Sequence, residues 1–336
     1  MKVISPVALA LALAACSSPP PAAKPAAPPV AVPTAATGRV ETMTWHSAAL
    51  GVDKQVVVYL PAGYDAEPGR RWPVFYYLNG LGGDETNWVK VGHLDAAADA
   101  LKLAAILVMP DGDNNFYVDS AMPSDHAACM KDGTGLFIPT QSRKSTCVRA
   151  SKYETYIAKD LVAWTDATFR TKAERGSRAI AGLSMGGFGA LELAMRHPDT
   201  FAAAASHSGV DALLYAGPHP YAAADVKLVE DVSSWGRAVG PMGDWIRALF
   251  GPDIAFWREH DPAALAQQLA PGQLAIYLDC GTEDDFLLND SARYLHDVLV
   301  ARKIDHAFFL GPGRHNFAFW SQRAPASLAF LRDHTR

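Results

Sequence analysis

Ser184 stands where a serine could act as a nucleophile. It lies in the segment Gly182-Leu183-Ser184-Met185-Gly186, a G-x-S-x-G pattern between a short apolar run and a helix-forming stretch. Strand, sharp turn and helix form the context in which this pattern exposes a serine hydroxyl at a helix N-terminus. Glycine at both ends of the pattern removes collisions that side chains would cause in so tight a turn. The alternative is that Ser184 only caps the helix, because serine is a common N-cap residue.

A serine hydroxyl is a weak nucleophile, so this hypothesis requires a general base and an acid that orients the base. His315 is the best candidate for the base, because it follows the apolar run His306–Leu310 and precedes a helix-forming stretch. Residues that follow the carboxyl ends of parallel strands meet at one edge of the sheet, where open α/β proteins bind ligands. We therefore expect His315 to face Ser184.

The acid is expected in the turn after the apolar run Gln273–Asp279. Several carboxylates crowd this turn, and the residues alone do not choose cleanly between them. A position beyond the strand end favours Asp284, with Asp285 and Asp279 as the alternatives. The competing interpretation is a solvated acidic turn in which one aspartate caps a helix.

The elements that must position these residues alternate between strands and helices, after an antiparallel hairpin made by Met43–Ala49 and Gln55–Leu60. This alternation predicts an α/β fold with a mostly parallel central sheet and helices on both faces. The predicted strands are Trp72–Leu78, Ala105–Met109, Ala179–Ala181, Phe201–Ser206, Gln273–Asp279 and His306–Leu310, and the predicted helices are His93–Leu103, Tyr153–Phe169, Ala190–Arg196, Ser291–Lys303 and Phe317–Asp333.

Two regions interrupt the alternation. Residues 210–268 are rich in Pro, Gly and Trp and are predicted to form a small cap-like insertion within one catalytic domain, residues 39–336. Residues 114–150 are long, polar and irregular. Loops of this length in compact domains are usually functional.

The motifs together resemble those of the esterase D-like, or putative esterase, family of α/β-hydrolases. This family includes S-formylglutathione hydrolases, feruloyl esterases and mycobacterial mycolyltransferases. The resemblance extends from about Val56 to Trp320. It is carried by the segments Tyr77–Gly83 with Trp88, Met109–Gly112, Tyr117–Ser120, Tyr153–Tyr156, Gly182–Gly187, Gly281–Asp284, and His315 with Trp320.

The resemblance implies an α/β-hydrolase fold and a Ser-Asp-His triad in which Asp284 is the acid. It also assigns the oxyanion donors to the backbone N–H groups of Leu81 and Met185. One departure is Asn79, where relatives usually carry histidine, so that support of the neighbouring loop is expected to differ. Asp111 and Asp119 resemble family positions near the cleft, although cap or core roles fit them equally well.

The predicted activity is that of a serine esterase acting through an acyl-enzyme on a small-molecule short acyl, phenolic or sugar ester. An acyltransferase that uses the same acyl-enzyme is an alternative, and so is a non-catalytic, envelope-binding lipoprotein. The chain has 336 residues and a formal net charge of -5, which gives no electrostatic case for nucleic acid.

The N-terminus is predicted to be an export signal. Residues 1–15 form this signal: Lys2 supplies a positive charge, and the Ala/Leu/Val run that follows extends to Ala15. The run is too short to span a membrane. Leu13-Ala14-Ala15-Cys16 resembles a bacterial lipobox, which implies cleavage before Cys16 and lipidation of its thiol. An ordinary signal peptide with an incidental cysteine is the alternative. Residues 16–38 are rich in proline and alanine and should form an extended tether. We expect an outer-membrane lipoprotein whose lipid is its only membrane contact.

The other cysteines fit an oxidising compartment. Cys129 and Cys147 flank a polar segment and are predicted to form a disulfide, whereas Cys280 ends an apolar run and is expected to be a buried free thiol. The sequence has neither a C-x-x-C nor an H-E-x-x-H pattern. We therefore expect no metal site and no cofactor.

Overall fold

A computed structural model of the chain describes residues 37–122, 125–133, 143, 147, 149 and 151–336. The predicted export signal, Cys16 and most of the tether lie outside the described residues. Ala36–Arg336 forms one compact unit. Among the described residues, no helix combines the length and apolarity needed to cross a membrane.

An eight-stranded sheet runs through the described chain. Its strands are β1 (Arg39–Ser47), β2 (Val52–Leu60), β3 (Val74–Leu78), β4 (Ile106–Pro110), β5 (Arg178–Leu183), β6 (Ala203–His207), β7 (Ala275–Gly281) and β8 (His306–Gly311). They lie in the order β1-β2-β4-β3-β5-β6-β7-β8. The pairs β1–β2 and β2–β4 are antiparallel, and every other pair is parallel. The mostly parallel sheet expected from the sequence is confirmed.

The central strands are apolar because both faces of the sheet are covered. Every residue of β3, β4, β5 and β6 is buried. Successive side chains of a strand point to opposite faces. Accordingly, Tyr76 packs in one core cluster and its neighbour Tyr77 in the other. Such strands appear in sequence as continuous apolar runs.

The helices lie between and beside these strands. They are α1 (Asn87–Lys90), α2 (Leu94–Ala100), α3 (His126–Asp132), α4 (Tyr153–Thr155), α5 (Val162–Thr168), α6 (Met185–Arg196), α7 (Pro241–Phe250), α8 (Ile254–His260), α9 (Pro262–Ala266), α10 (Leu288–Ala301) and α11 (Phe317–Asp333). A π-helical segment, Tyr156–Leu161, joins α4 to α5. The sequence predicted one regular helix over Tyr153–Phe169. The spacing of apolar residues does not distinguish a short π-helical segment from an α-helix.

Aromatic side chains of the insertion pack against α6 of the catalytic domain. Phe250 of α7 lies 4.8 Å from Trp257 and 6.0 Å from Phe188, between ring centroids. Phe188 belongs to α6, the helix that begins directly after Ser184. The insertion therefore packs on the same helix that carries the predicted nucleophile.

Candidate active site

Ser184 occupies a strained turn between β5 and α6. Its backbone has φ 53° and ψ -119°, in the left-handed half of conformational space that side chains disfavour. Its side chain makes no capping hydrogen bond to α6, so the structure does not place it in the simple capping role. A Cβ atom at Gly182 would lie 2.2 Å from the carbonyl oxygen of Gly186. The turn therefore requires glycine at that position.

His315 bridges the serine and one carboxylate. Its Nε2 lies 2.9 Å from Ser184 Oγ, and its Nδ1 lies 2.7 Å from Asp284 Oδ2. The ionised carboxylate can only accept, so Nδ1 carries the proton and Nε2 is left to accept from the serine hydroxyl. The side chain of Asp284 is fully buried and that of His315 is 8% exposed. This geometry suits proton transfer from Ser184 to His315.

Local hydrogen bonds hold the Asp284 carboxylate in place. Its Oδ1 accepts from the backbone N–H groups of Phe286, at 3.0 Å, and Leu288, at 3.3 Å. Donors of this kind favour the charged form of a carboxylate. One oxygen of Asp284 is thus occupied by the turn itself, and the other is directed at His315.

The two alternative acids have other partners. The Asp285 carboxylate pairs with Arg314 at the surface, with Nε 3.1 Å from Oδ1, and this hydrogen bond lowers the pKa of Asp285. Asp279 is fully buried and pairs with Nδ1 of His207 at 2.9 Å. Asp285 Oδ2 also accepts from the backbone N–H of His315 at 3.3 Å, but of the three carboxylates weighed from the sequence, Asp284 is the one that contacts the His315 imidazole.

His207, Asp279 and Ser327 form a second Ser-His-Asp arrangement, which the sequence did not reveal. His207 Nε2 lies 2.9 Å from Ser327 Oγ, and the three residues are fully buried. The Ser327 hydroxyl itself donates to the carbonyl oxygen of Ala324 at 3.0 Å. A substrate cannot reach this group, so we interpret it as a structural network beneath the sheet edge. The position of His207 at a strand end was the available sequence signal.

Leu81 and Met185, the predicted oxyanion donors, line the same cavity as Ser184 and His315. Leu81 lies in the loop after β3, and Met185 is the first residue of α6. A backbone N–H at the first turn of a helix is directed toward developing negative charge. The structure therefore places both residues on the wall of the cavity that Ser184 lines.

Asn79 links the loop that carries Leu81 to its neighbours. Its Nδ2 donates to the carbonyl oxygen of Gly80 at 3.0 Å. Its Oδ1 accepts from the N–H of Gly112 and from the hydroxyl of Tyr117, each at 2.9 Å. Asn79 is buried, so each of these bonds is shielded from water. The Asn79 amide therefore ties the loop after β3 to Gly112 and Tyr117.

A cavity of about 940 Å³ opens over Ser184. The insertion supplies much of its wall, including Val210, Leu213, Trp235 and Ile246, and Phe116 completes the apolar surface. If histidines are set aside, Arg237 is the one charged side chain among the described residues that line the cavity. A cavity of this size and character suits an ester with an apolar group.

Asp111 and Asp119 have structural partners. Asp111 lies 3.1 Å from Lys54 Nζ. Burial and the charge of Asp113 raise the pKa of Asp111 to about 6. Asp119 accepts from the N–H of Thr155 at 3.0 Å and from its hydroxyl at 2.7 Å, which fixes the start of the helical segment. Asp111 therefore pairs with a buried lysine in the core, and Asp119 caps the start of a helical segment.

The cysteines lie as the sequence suggested. Cys129 and Cys147 are joined by a disulfide, and Cys280 is a buried free thiol. The Cys280 thiol lies 3.7 Å from Asp284 Oδ2, and burial raises its pKa well above the ordinary value. A neutral thiol of this kind is a poor nucleophile.

Residues 47–331 match the model of the family described as putative esterase. The chain belongs to this family. It is 26% identical over 307 residues to an S-formylglutathione hydrolase of Mus musculus, an alignment that covers 89% of this chain and 93% of that enzyme. An esterase of Mycobacterium tuberculosis is 34% identical over 167 residues, which are 49% of this chain and only 31% of that longer protein. The sequence-based family assignment is confirmed.

Solved structures show the same fold. An S-formylglutathione hydrolase from Agrobacterium tumefaciens superposes with a TM-score of 0.65 at 20% identity, covering 90% of this chain and 98% of that one. A ferulic acid esterase superposes with a TM-score of 0.64 at 21% identity, covering 89% and 98%. The predicted α/β-hydrolase fold is therefore confirmed.

Proposed function

We propose that this protein is a carboxylic-ester hydrolase in which Ser184, His315 and Asp284 act as the catalytic triad. The observation that carries the proposal is the unbroken chain of contacts from Ser184 Oγ to His315 Nε2, at 2.9 Å, and from His315 Nδ1 to Asp284 Oδ2, at 2.7 Å. Geometry of this kind is how a triad is recognised on any fold.

The reaction follows from these contacts. His315 takes the proton of the Ser184 hydroxyl as the serine oxygen attacks the ester carbonyl carbon. The backbone N–H groups of Leu81 and Met185 stabilise the resulting oxyanion, an effect of about 3–4 kcal/mol per donor. His315 then protonates the departing alcohol, which leaves an acyl group on Ser184. Water, activated by the same histidine, hydrolyses that acyl-enzyme.

The cavity indicates the kind of ester. Its wall is mainly apolar, and its volume of about 940 Å³ exceeds what an acetyl group needs. We propose a substrate with an acyl group the size of butyrate or an aromatic acyl group, within the short acyl, phenolic and sugar esters that the sequence suggested. The related S-formylglutathione hydrolase and ferulic acid esterase support ester or thioester chemistry in general.

The decisive experiment compares Ser184→Ala with Ser327→Ala, the serine of the buried network. Ser184→Ala should abolish hydrolysis of p-nitrophenyl butyrate and labelling by a fluorophosphonate probe, while Ser327→Ala should keep both in folded protein. Labelling of the Ser184→Ala protein would refute the nucleophile assignment. A panel of p-nitrophenyl acetate, butyrate and octanoate with methyl ferulate then ranks the acyl groups, and butyrate or ferulate should exceed acetate in kcat/KM.

We also propose that the enzyme is exported and anchored by lipid on Cys16. The support is the sequence alone, namely the apolar run, the residues before Cys16 and the proline-rich tether. Metabolic labelling with a palmitate analogue should modify the wild-type protein and leave Cys16→Ala unmodified. Equal labelling of both proteins would contradict the anchor.

A further inference from the structure

Three titratable side chains from separate segments converge on the far part of the helix that carries the nucleophile. Glu154 lies in α4, Glu192 lies about two turns along α6 from Ser184, and His260 ends α8 in the insertion. The side chain of Glu192 is fully buried, and that of His260 is 3% exposed. This cluster plays no part in the ester chemistry described above.

The hydrogen bond on one side of His260 determines what the other side offers. Its Nδ1 lies 2.8 Å from the carbonyl oxygen of Phe256. A carbonyl oxygen can only accept, so Nδ1 carries the proton and the Nε2 of the neutral ring presents a lone pair. Nε2 lies 3.6 Å from Glu154 Oε2 and 3.8 Å from Glu192 Oε1. Three electron-pair donors thus face one another.

The separations between these atoms are closer to those between two ligands of one metal ion than to those of a hydrogen bond. Hydrogen bonds of this type span about 2.7–3.2 Å, shorter than either separation. Nitrogen and oxygen ligands about 2.0–2.2 Å from a tetrahedral zinc ion are roughly 3.3–3.6 Å from each other. The three ligand atoms all lie within 4.8 Å of one another. A bound cation would occupy the space that separates them.

Glu192 provides a second, independent indication. Neither of its carboxylate oxygens accepts a hydrogen bond from any residue in the described part of the chain, although Arg196 Nε lies 3.0 Å from Oε1. The ion pair with Arg196 leaves Oε2 of this fully buried carboxylate without a partner in the described part of the chain, which is costly and calls for an explanation. Oε1 of Glu154 lies 2.8 Å from His197 Nε2, and Oε2 accepts from Arg196 Nη2 at 3.2 Å while lying 3.6 Å from His260 Nε2.

We propose that Glu154 Oε2, Glu192 Oε1 and His260 Nε2 bind one divalent transition-metal ion, with zinc as the best match. Imidazole and carboxylate ligands suit zinc, and a water molecule would complete the tetrahedron. Two carboxylates and the nearby Arg196 guanidinium leave one net negative charge for the cation to balance. The ion would join the insertion and α4 to α6, and its role would be structural.

No sequence pattern pointed to this site, because its ligands come from three distant segments. Metal motifs are recognised when ligands fall within one turn or loop. Here the tertiary fold alone brings positions 154, 192 and 260 together.

The test measures binding and stability, so that it is independent of ester hydrolysis. The protein is dialysed against EDTA and then titrated with zinc chloride by calorimetry, and its thermal unfolding is followed with and without zinc. Glu192→Gln and His260→Gln each replace a carboxylate or imidazole ligand with an uncharged amide that binds zinc weakly, and Glu230→Gln, an exposed position in the insertion, is the matched control. Cobalt(II) is used in parallel as a spectroscopic probe.

We expect one zinc ion per wild-type chain, a higher unfolding temperature with zinc, and a visible cobalt spectrum typical of four or five ligands. Each ligand variant should bind at least about tenfold more weakly and lose the zinc-dependent stabilisation, while Glu230→Gln should behave as wild type. Zinc uptake that is substoichiometric, or equal in wild type and the ligand variants, would overturn the proposal. If the ligand variants do not fold, the absence of that cobalt spectrum in the wild type overturns it instead.

Discussion

Nδ1 of His315 lies 2.7 Å from Oδ2 of Asp284, although Asp285, the next residue, carries the same functional group. The two aspartates point to different environments. Asp284 is buried against the histidine, whereas Asp285 pairs with the exposed Arg314. This contrast between neighbours provides a test within one turn.

Asp284→Asn should lower kcat by about 10³–10⁴, because an amide no longer stabilises the imidazolium or selects the required tautomer. Asp285→Asn should keep kcat within about twofold of wild type, because a surface ion pair contributes little and the amide oxygen can still accept from the His315 N–H. Steady-state hydrolysis of p-nitrophenyl butyrate measures both, with circular dichroism to confirm folding. The assignment fails if Asp285→Asn is the more damaging change.

Asn79→Ala should lower kcat by about tenfold to hundredfold with little change in KM. The substitution releases the loop that presents the Leu81 N–H group, and misplacing an oxyanion donor acts on the transition state. Tyr117→Phe removes one of the two donors to Asn79 Oδ1 and retains the other, so its effect should be smaller and in the same direction. Unchanged kcat in Asn79→Ala would show that the loop keeps its position without the amide.

Asp279→Asn should reduce the free energy of unfolding by about 3 kcal/mol, because it leaves His207 and Arg323 without their buried counter-charge. Asp65→Asn is the matched control, since Asp65 pairs with Arg39 Nε at 3.0 Å on the surface. That change should leave the free energy of unfolding nearly unchanged, because an exposed ion pair contributes little. Urea unfolding measures both, and similar losses in the two variants would contradict the buried-network interpretation.

The titration of Asp211 should lower the free energy of unfolding as the pH rises. Burial raises its pKa to about 8, whereas an unfolded aspartate titrates near 4. Between these values the unfolded chain has released a proton that the folded chain retains, so the free energy of unfolding falls with increasing pH. The stability is fully present below about pH 4 and is lost through about pH 8, with a slope of about 1 kcal/mol per pH unit.

Asp211→Asn removes this titration and should flatten the profile between pH 6 and 8. Urea unfolding at several pH values, compared with wild type, isolates the contribution of this one group. Parallel profiles for the two proteins would show that Asp211 is ionised in the folded state.

Much of the active site could be predicted from local sequence. Gly182 and Gly186 marked the turn around Ser184, because few residues tolerate such a backbone, and His315 followed a recognisable strand. Apolar periodicity located the strands, since it records which faces are buried. These features depend on residues that are close together in the sequence, so they can be recognised from the sequence alone.

The partners of the carboxylates could not be predicted from the residues alone, because they depend on how distant strands align. The parallel register of β6 and β7 sets His207 opposite Asp279 and so withdraws that carboxylate from the catalytic site. The register of β7 and β8 sets Gly281 opposite Gly311, which brings the following turns, with Asp284 and His315, together. Family resemblance indicated Asp284, and the geometry supplies the physical reason.

The sequence by itself determined the fold class, the turn around Ser184 and the order of the proposed catalytic residues, because each has a local steric or periodic origin. Only the tertiary structure decided which aspartate meets His315, how Asn79 supports its loop, and that Glu154, Glu192 and His260 share one buried space. Those relationships arise from contacts between segments far apart in the chain, and short-range pattern carries no information about them.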